Sequence, residues 1–305
     1  MSLDINKKQS NANGIVSVII PCTDRTAGLK RCLESVLRQN YAGSIEIILV
    51  ENNSLDCLVI PSLLKEINNQ SVRHFYLSDC GNANIARNYG VSRSKGSIVA
   101  FLDSDDEWLE GHISSGVDCL GECNAVYSGF LLDNGFNRKT KNSRGIYPSE
   151  TPYSFLFGKN SAVAQTSSYM LQKNVLELYS WDETLKRNQD YDFFIGVQKV
   201  VGWNFNLSIT SIVHWDEGSA RTYSFEAFSK FYEKHCEQMS RRERAAYLVD
   251  AMKGLATYSK AGYSDFQKRL APYRSELGMY DSIYTHNILV TKLVLNIKSM
   301  IRRLF

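Results

Sequence analysis

Apolar positions in the first hundred residues alternate between two periods. Four short, β-branched runs read as strands: GIVSVIIPC (14–22), SIEIILVENNS (44–54), VRHFYLS (72–78) and SIVAFLD (97–103). The first is expected to cover Val16 to Ile20 and to stop at Pro21. Between them, AGLKRCLESVLRQN places Leu29, Cys32, Leu33, Val36 and Leu37 at helical spacing. VIPSLLKEINNQ predicts a second helix, and NANIARNYGVSRSKG a third that Gly96 closes. This β-α-β-α-β-α-β rhythm predicts a Rossmann-like α/β fold with a mostly parallel central sheet flanked by helices.

From about residue 112 the pattern is mixed. NAVYSGFLL (124–132) and SITSIVHW (208–215) read as strands, and residues 133–150 as a polar loop. SSYMLQKNVLELYSWDETL holds an edge strand and a short helix, and NQDYDFFIGVQKVVG begins another helix. From about Tyr223 the chain turns strongly helical. The expected organisation is a disordered N-terminus (1–13), an α/β domain (14–220) and a helical C-terminal region (221–305).

Composition narrows the class. A hydrophobic fraction of 44% with 22% charged residues in 305 positions is that of a soluble globular protein with a real core. A net charge of +3 is too small to suggest a nucleic-acid partner. The seven cysteines are odd in number, and the one close pair, Cys119 and Cys123, has no histidine nearby, so reduced thiols are expected rather than zinc. Met1 to Asn13 is polar without an apolar core, and no run reaches the roughly 18 apolar residues that span a bilayer. A cytoplasmic location is the expectation.

Open sheets of this kind bind ligands beyond the carboxyl ends of their strands. PCTDR, ENNS and DSDD all fall at such ends, so three segments converge on one crevice. In DSDD, Asp103 and Asp105 alternate, a pattern suited to a hard divalent cation, Mn²⁺ or Mg²⁺, whose shell substrate phosphates and water would complete. A solvated acidic turn is the plainer reading. A phosphatase-type nucleophile fits poorly four strands into the domain. A nicotinamide site fits poorly too, because no glycine-rich phosphate turn follows the first strand.

VSVIIPCTDRTAGLKRCLESVLRQNY, IEIILVENNS, GNANIARNYGVSRSKGSIVAFLDSDD and NQDYDFF, in that order, resemble the signature of glycosyltransferase family 2. The resemblance covers roughly residues 15–220. It implies a GT-A fold and an inverting transfer of sugar from a nucleotide donor. It also implies that Pro21, Thr23 and Arg25 line the nucleotide pocket. Glu51 and Asn52 stand where the family often has two aspartates that read base and ribose. Arg87 would approach the diphosphate or donor sugar, and Asp103 the ribose or sugar. Asp105 would be the principal metal ligand, with His214 completing the shell or touching the diphosphate, while Asp106 orients the loop.

A sugar hydroxyl loses a proton as it attacks the anomeric carbon, so a carboxylate is needed on the acceptor side. The resemblance assigns that role to Asp190 of NQDYDFF, with Asp192 the fallback and Gln189 replacing the family's usual Glu. A helix cap is the plainer role for Asp190. Core packing is the plainer role for Trp181, which is only a weak candidate for stacking on the acceptor.

HNILVTKLVLNIKSMIRRLF (286–305) has four Lys/Arg and no acid. Leu289, Leu293, Ile297, Met300 and Leu304 share one helical stripe; Lys292, Asn296, Ser299 and Arg303 share another. Such a helix suits peripheral contact with an anionic inner membrane, each base contributing on the order of 1 kcal/mol. Packing on its own protein, or on a second copy in a homo-oligomer, is the alternative. Bacterial relatives in this family often extend lipid-diphosphate-linked glycans, so the expected partners are a nucleotide-sugar donor and a glycan or lipid-linked acceptor in O-antigen, capsule or exopolysaccharide synthesis. A non-catalytic sugar-nucleotide or glycan binder with a degenerate GT-A domain is the competing reading.

Overall fold

The computed structural model describes residues 14–23, 26–54, 58–78, 81–121, 123–215 and 224–304. The chain divides into two compact units. The first is Met1–Ile146 with Val163–Glu183 and Asp190–Trp215; the second is Tyr147–Ala162, Thr184–Gln189 and Asp216–Phe305. The expected N-terminal tail and the boundary near residue 220 lie outside the described residues.

In the first unit, β1 (Ile15–Cys22), β2 (Ser44–Asn52), β3 (Val72–Leu77) and β4 (Ile98–Phe101) alternate with α1 (Thr26–Leu37), α2 (Val59–Ile67) and α3 (Ala83–Arg93). These strands lie in the order β3-β2-β1-β4, and every pairing among them is parallel. Val16, Val18 and Ile20 of β1 are fully buried in one cluster with Leu29, Leu33 and Val36 of α1. Burying each such side chain contributes about 1.5–3 kcal/mol. Ile19 faces the other way, toward α3. A Cβ on Gly90 would stand 2.6 Å from Ile19 Cγ2, so only glycine lets α3 lie this close to the sheet. Helices cover both faces, as a buried parallel sheet requires.

Two expected ends move. β1 continues through Pro21, which pairs in register with Val50. Ile19 O accepts from Leu102 N, so Ile19 points its backbone toward β4, and Pro21, two residues on, faces the same side. The β4 pairing has ended there, and the missing N–H costs nothing. The third helix ends at Arg93 rather than Gly96, because Ser94 turns extended and donates through Oγ to Val91 O at 2.7 Å.

The rest of the sheet is mixed. β5 (Glu107–Trp108), β6 (Ala125–Asp133), β7 (Arg138–Thr140), β8 (Met170–Gln172) and β9 (Asn204–His214) extend it to nine strands in the order β3-β2-β1-β4-β8-β6-β9-β5, with β7 on β6. β8 is antiparallel to both β4 and β6, β6 and β9 run parallel, and β5 is antiparallel to β9. The stretch expected as a loop thus contains β7. Helices α4 (His112–Leu120), α6 (Val175–Leu178) and α7 (Gln189–Val200) complete this part of the chain.

The second unit is helical. It contains α5 (Pro152–Phe157), α8 (Phe225–His235), α9 (Arg241–Tyr258), α10 (Lys260–Leu270), α11 (Met279–His286) and α12 (Ile288–Leu304). Capping boxes start α5 (Thr151 with Ser154) and α9 (Ser240 with Glu243), each satisfying two otherwise orphaned backbone donors. Its core is aromatic: Tyr247 of α9 stacks on Phe231 of α8 at 5.0 Å and meets Phe157 of α5 edge-on at 5.6 Å.

Candidate active site

β4 delivers the chain into a tight turn, in which Asp106 N donates to Asp103 O at 3.0 Å. Helix α1 lies against this turn. A Cβ on Gly28 would stand 3.2 Å from Asp105 Cα and 3.3 Å from Ser104 O. Arg31 Nη2 donates to Asp105 O at 2.7 Å, which fixes the backbone of the residue whose side chain is exposed.

The three acids face three ways. Asp106 turns inward and is 2% exposed. Its Oδ2 accepts from Ser167 Oγ at 2.6 Å and its Oδ1 from His214 N at 3.0 Å. Burial, and then the neighbouring Asp105 and Asp103 charges, push its carboxyl well above the usual carboxylate range, against those two hydrogen bonds. Asp106 therefore ties the turn to β9 and the Ser167 segment. Asp105 faces solvent, and Asp103, half-buried, faces Arg87.

Arg87 sits on α3, one turn before Gly90. Its Nη2 donates to Asp103 Oδ1 at 2.6 Å and its Nη1 to Asn84 Oδ1 at 2.9 Å, while its Nε is buried without a hydrogen-bond partner. The guanidinium lies 4.4 Å over the Trp181 ring. Trp181 in turn stacks on Phe193 of α7 at 4.0 Å, the ring planes nearly parallel at 5°. Trp181 is 1% exposed, so its face is taken, and the expectation that it stacks on an acceptor does not hold.

The same helix fastens the segment leading to α7. Asn82 Nδ2 donates to Glu183 O at 2.6 Å, Asn84 Nδ2 to Asp182 O at 2.7 Å and Asn88 Nδ2 to Trp181 O at 2.8 Å. Asn88 Oδ1 also accepts from Trp181 N. Asparagine is a poor helix-interior residue. Its recurrence in NANIARN is a signal that this helix bonds outside itself, though not to which segment.

Asp190 lies in the first turn of α7, half-buried, and its carbonyl accepts from Tyr169 Oη at 3.3 Å. Burial, then the Asp190 charge, raises the Tyr169 hydroxyl well above its ordinary value, while Arg87 pulls it down. Asp190 and Arg87 thus act on one buried hydroxyl. Asp192, the fallback, is 1% exposed and accepts from Tyr179 Oη at 2.9 Å, a structural position. Gln189 Nε2 is turned back onto Leu185 O at 2.8 Å.

At the ends of β1 and β2, Pro21 is buried and Thr23 exposed; Arg25 lies outside the described residues. Glu51 and Asn52 are both buried. Glu51 Oε2 is 2.7 Å from His74 Nε2 on β3, and its Oε1 is buried without a hydrogen-bond partner. A buried carboxylate oxygen left unpaired is costly unless a donor arrives from outside the chain. His74 was not foreseen, since register alone brings it beside β2.

His214 closes β9 opposite Asp133 of β6. Its Nε2 is 3.0 Å from Glu107 Oε1 and its Nδ1 3.8 Å from Asp133 Oδ2, and Arg138 meets Asp133 at 2.8 Å and Glu107 at 3.7 Å. Both ring nitrogens of His214 therefore face carboxylates. Among the described residues, no group of three or more His, Cys, Asp or Glu is gathered as a cation cage. The donors present fit instead an ion held by one exposed carboxylate and completed by phosphate oxygens and water.

A parallel α/β half continued by a mixed sheet is the architecture of the GT-A fold. The chain belongs to glycosyl transferase family 2, whose family model matches residues 17–178. Its relatives include a putative colanic acid biosynthesis glycosyl transferase, WcaA, of Escherichia coli K12, 25% identical over 76% of this chain and 85% of that one. They also include the amylovoran biosynthesis glycosyltransferase AmsB of Erwinia amylovora, 25% identical over 62% of this chain and 65% of that one. An uncharacterized glycosyltransferase of Rickettsia bellii is 25% identical over 79% of this chain, which spans only 37% of that longer protein. Among solved structures, S. aureus TarS superposes with a TM-score of 0.59 at 13% identity, over 91% of this chain and 53% of that one. TarS residues 1–349 in complex with UDP-GlcNAc give a TM-score of 0.57 at 15% identity, over 90% of this chain and 79% of that one. The TarS likeness is one of fold.

Proposed function

We propose that this chain transfers a hexosyl or N-acetylhexosaminyl group from a nucleoside-diphosphate donor to a hydroxyl of a glycan or lipid-linked acceptor, with inversion, in the building of a bacterial surface polysaccharide. The observation that carries the reading is the run Asp103–Arg87–Trp181–Phe193. It links the acid turn at the parallel strand ends to the helix of Asp190 through buried contacts. The names of WcaA and AmsB favour polysaccharide synthesis, and the TarS complex favours a uridine nucleotide sugar as the first donor to try.

In this reading Arg87 and the crevice wall of Pro21, Thr23, Glu51 and Asn52 hold the donor, and Asp103 orients its sugar or ribose. Asp105 and His214 would hold a divalent ion, which would supply charge neutralisation for the departing diphosphate. Asp190 accepts the proton of the attacking hydroxyl as the glycosidic bond forms on the face opposite the leaving oxygen. The bond from the anomeric carbon to the diphosphate breaks in the same step, so the nucleoside diphosphate leaves with the electron pair.

A panel of nucleotide sugars, tested by thermal shift with and without Mn²⁺ and by release of nucleoside diphosphate, checks the proposal. Stabilisation and slow donor turnover by one class of donor are expected. Stabilisation without turnover, with every acceptor glycan offered, would support a binding protein instead.

A further inference from the structure

The last helix carries its amphipathic pattern the wrong way round for a packed element. It is docked by a polar side chain: Thr291 is fully buried, and its Oγ1 lies 3.0 Å from both Tyr263 Oη and Tyr284 O. Lys298 lies 5.1 Å over the Tyr284 ring on the docked side. Four large apolar side chains point out to solvent. Leu289 is 70% exposed, Leu293 60%, Ile297 46% and Met300 64%. They recur every three or four residues, so they form one continuous stripe along α12.

An apolar stripe this long is costly in water unless something covers it. Nothing in the helix's own docking does so, because the docked face is the one that carries Thr291. The surroundings of the stripe indicate what the cover is. Residues 288–304 contain four Lys/Arg and no acid, and Lys292, on the solvent side, is exposed between Leu289 and Leu293. A stripe of apolar side chains flanked by an exposed lysine, on a helix whose sequence carries no acid, is complementary to an anionic bilayer surface.

We propose that the outward face of α12 is a membrane-docking surface that lies in the headgroup region of anionic lipid. Leu289, Leu293, Ile297 and Met300 enter the acyl boundary and Lys292 pairs with lipid phosphate. The helix lies on the bilayer and does not cross it; among the described residues no helix is long and apolar enough to cross. This surface does not rest on the proposed chemistry and stands or falls separately from it.

The test is co-sedimentation of the full chain with vesicles of phosphatidylcholine, alone and mixed with phosphatidylglycerol. Wild type is expected to bind the mixed vesicles, to leave them as salt is raised, and to ignore the neutral ones. Leu293→Glu with Ile297→Glu, at exposed positions, should leave the melting temperature and donor turnover unchanged while weakening vesicle binding by about 100-fold or more. Lys292→Gln should weaken it by about fivefold. Equal partition of wild type and the double variant would overturn the proposal. So would light scattering that finds a wild-type dimer which the double variant converts to monomer, since the stripe would then be covered by a second copy.

Discussion

Arg87 Nη2 donates to Asp103 Oδ1 at 2.6 Å from a position where the arginine side chain is only 6% exposed. A buried charge of this kind is tolerable because it is paired on one side, hydrogen-bonded to Asn84 on another and laid over Trp181 on a third.

Removing that cation should therefore be expensive. Arg87→Ala strands the Asp103 carboxylate beside Asp105 and Asp106, and should cost about 3–5 kcal/mol of stability, read by urea unfolding. Arg87→Lys keeps the charge but not the fork and the stacking face, and should fall between the two. A loss below about 1 kcal/mol for the alanine variant would mean that the pair contributes little.

Asp190→Asn is the test of the proton acceptor. Sugar transfer should fall by about 10²–10⁴-fold, while donor affinity by calorimetry stays within about twofold. A variant that turns over like wild type would remove Asp190 from the mechanism.

Asp105→Ala separates a functional acid from a structural one. The side chain is exposed, so the melting curve without ligand should shift by no more than about 0.5 kcal/mol in equivalent stability. The extra stabilisation that Mn²⁺ gives to a donor complex should vanish. Asp106→Ala should do the reverse and unfold early, because it removes the acceptor of the Ser167 hydroxyl and of the His214 N–H.

His112 sets an acid limit on the fold. Burial holds its pKa down to about 3, opposed by the Thr210 hydrogen bond. The ring stacks on Trp108 at 4.1 Å, and its Nε2 has no partner. Because the folded value is depressed, the unfolded chain binds the extra proton first as pH falls. Stability should be full above about pH 6.5 and be lost progressively toward pH 3, by on the order of 4 kcal/mol from this group. His112→Phe keeps the stacking and should flatten the slope of unfolding free energy between pH 6 and pH 4 on this account.

The parallel half of the sheet was legible because each strand and helix there carries its own period: Val16–Ile20, Ile45–Val50 and the Leu29–Leu33–Val36 face need no distant partner to be read. β5 was not. Glu107 and Trp108 follow three acids and look like loop, and only pairing with Ile212 and Ser211, a hundred residues on, makes them strand. The acid turn and Asp190 were readable as candidates from their order in the chain. Their braces, namely Glu107 and Asp133 around His214, His74 beside Glu51 and Ser167 on Asp106, depend on register between strands remote in sequence. Trp181 takes the core role, the commoner one for a tryptophan. Aromatic rings suit sugars as well as cores, and the choice is made by Phe193, Phe101 and Arg87 meeting around it.

Asn82, Asn84 and Asn88 grip residues 181–183 through uncharged amides. Amide grips of this sort neither titrate nor weaken with ionic strength. In the proposed reaction the charge at the acid turn would change as donor and ion exchange, and these amide contacts to the backbone of 181–183 would not loosen with it.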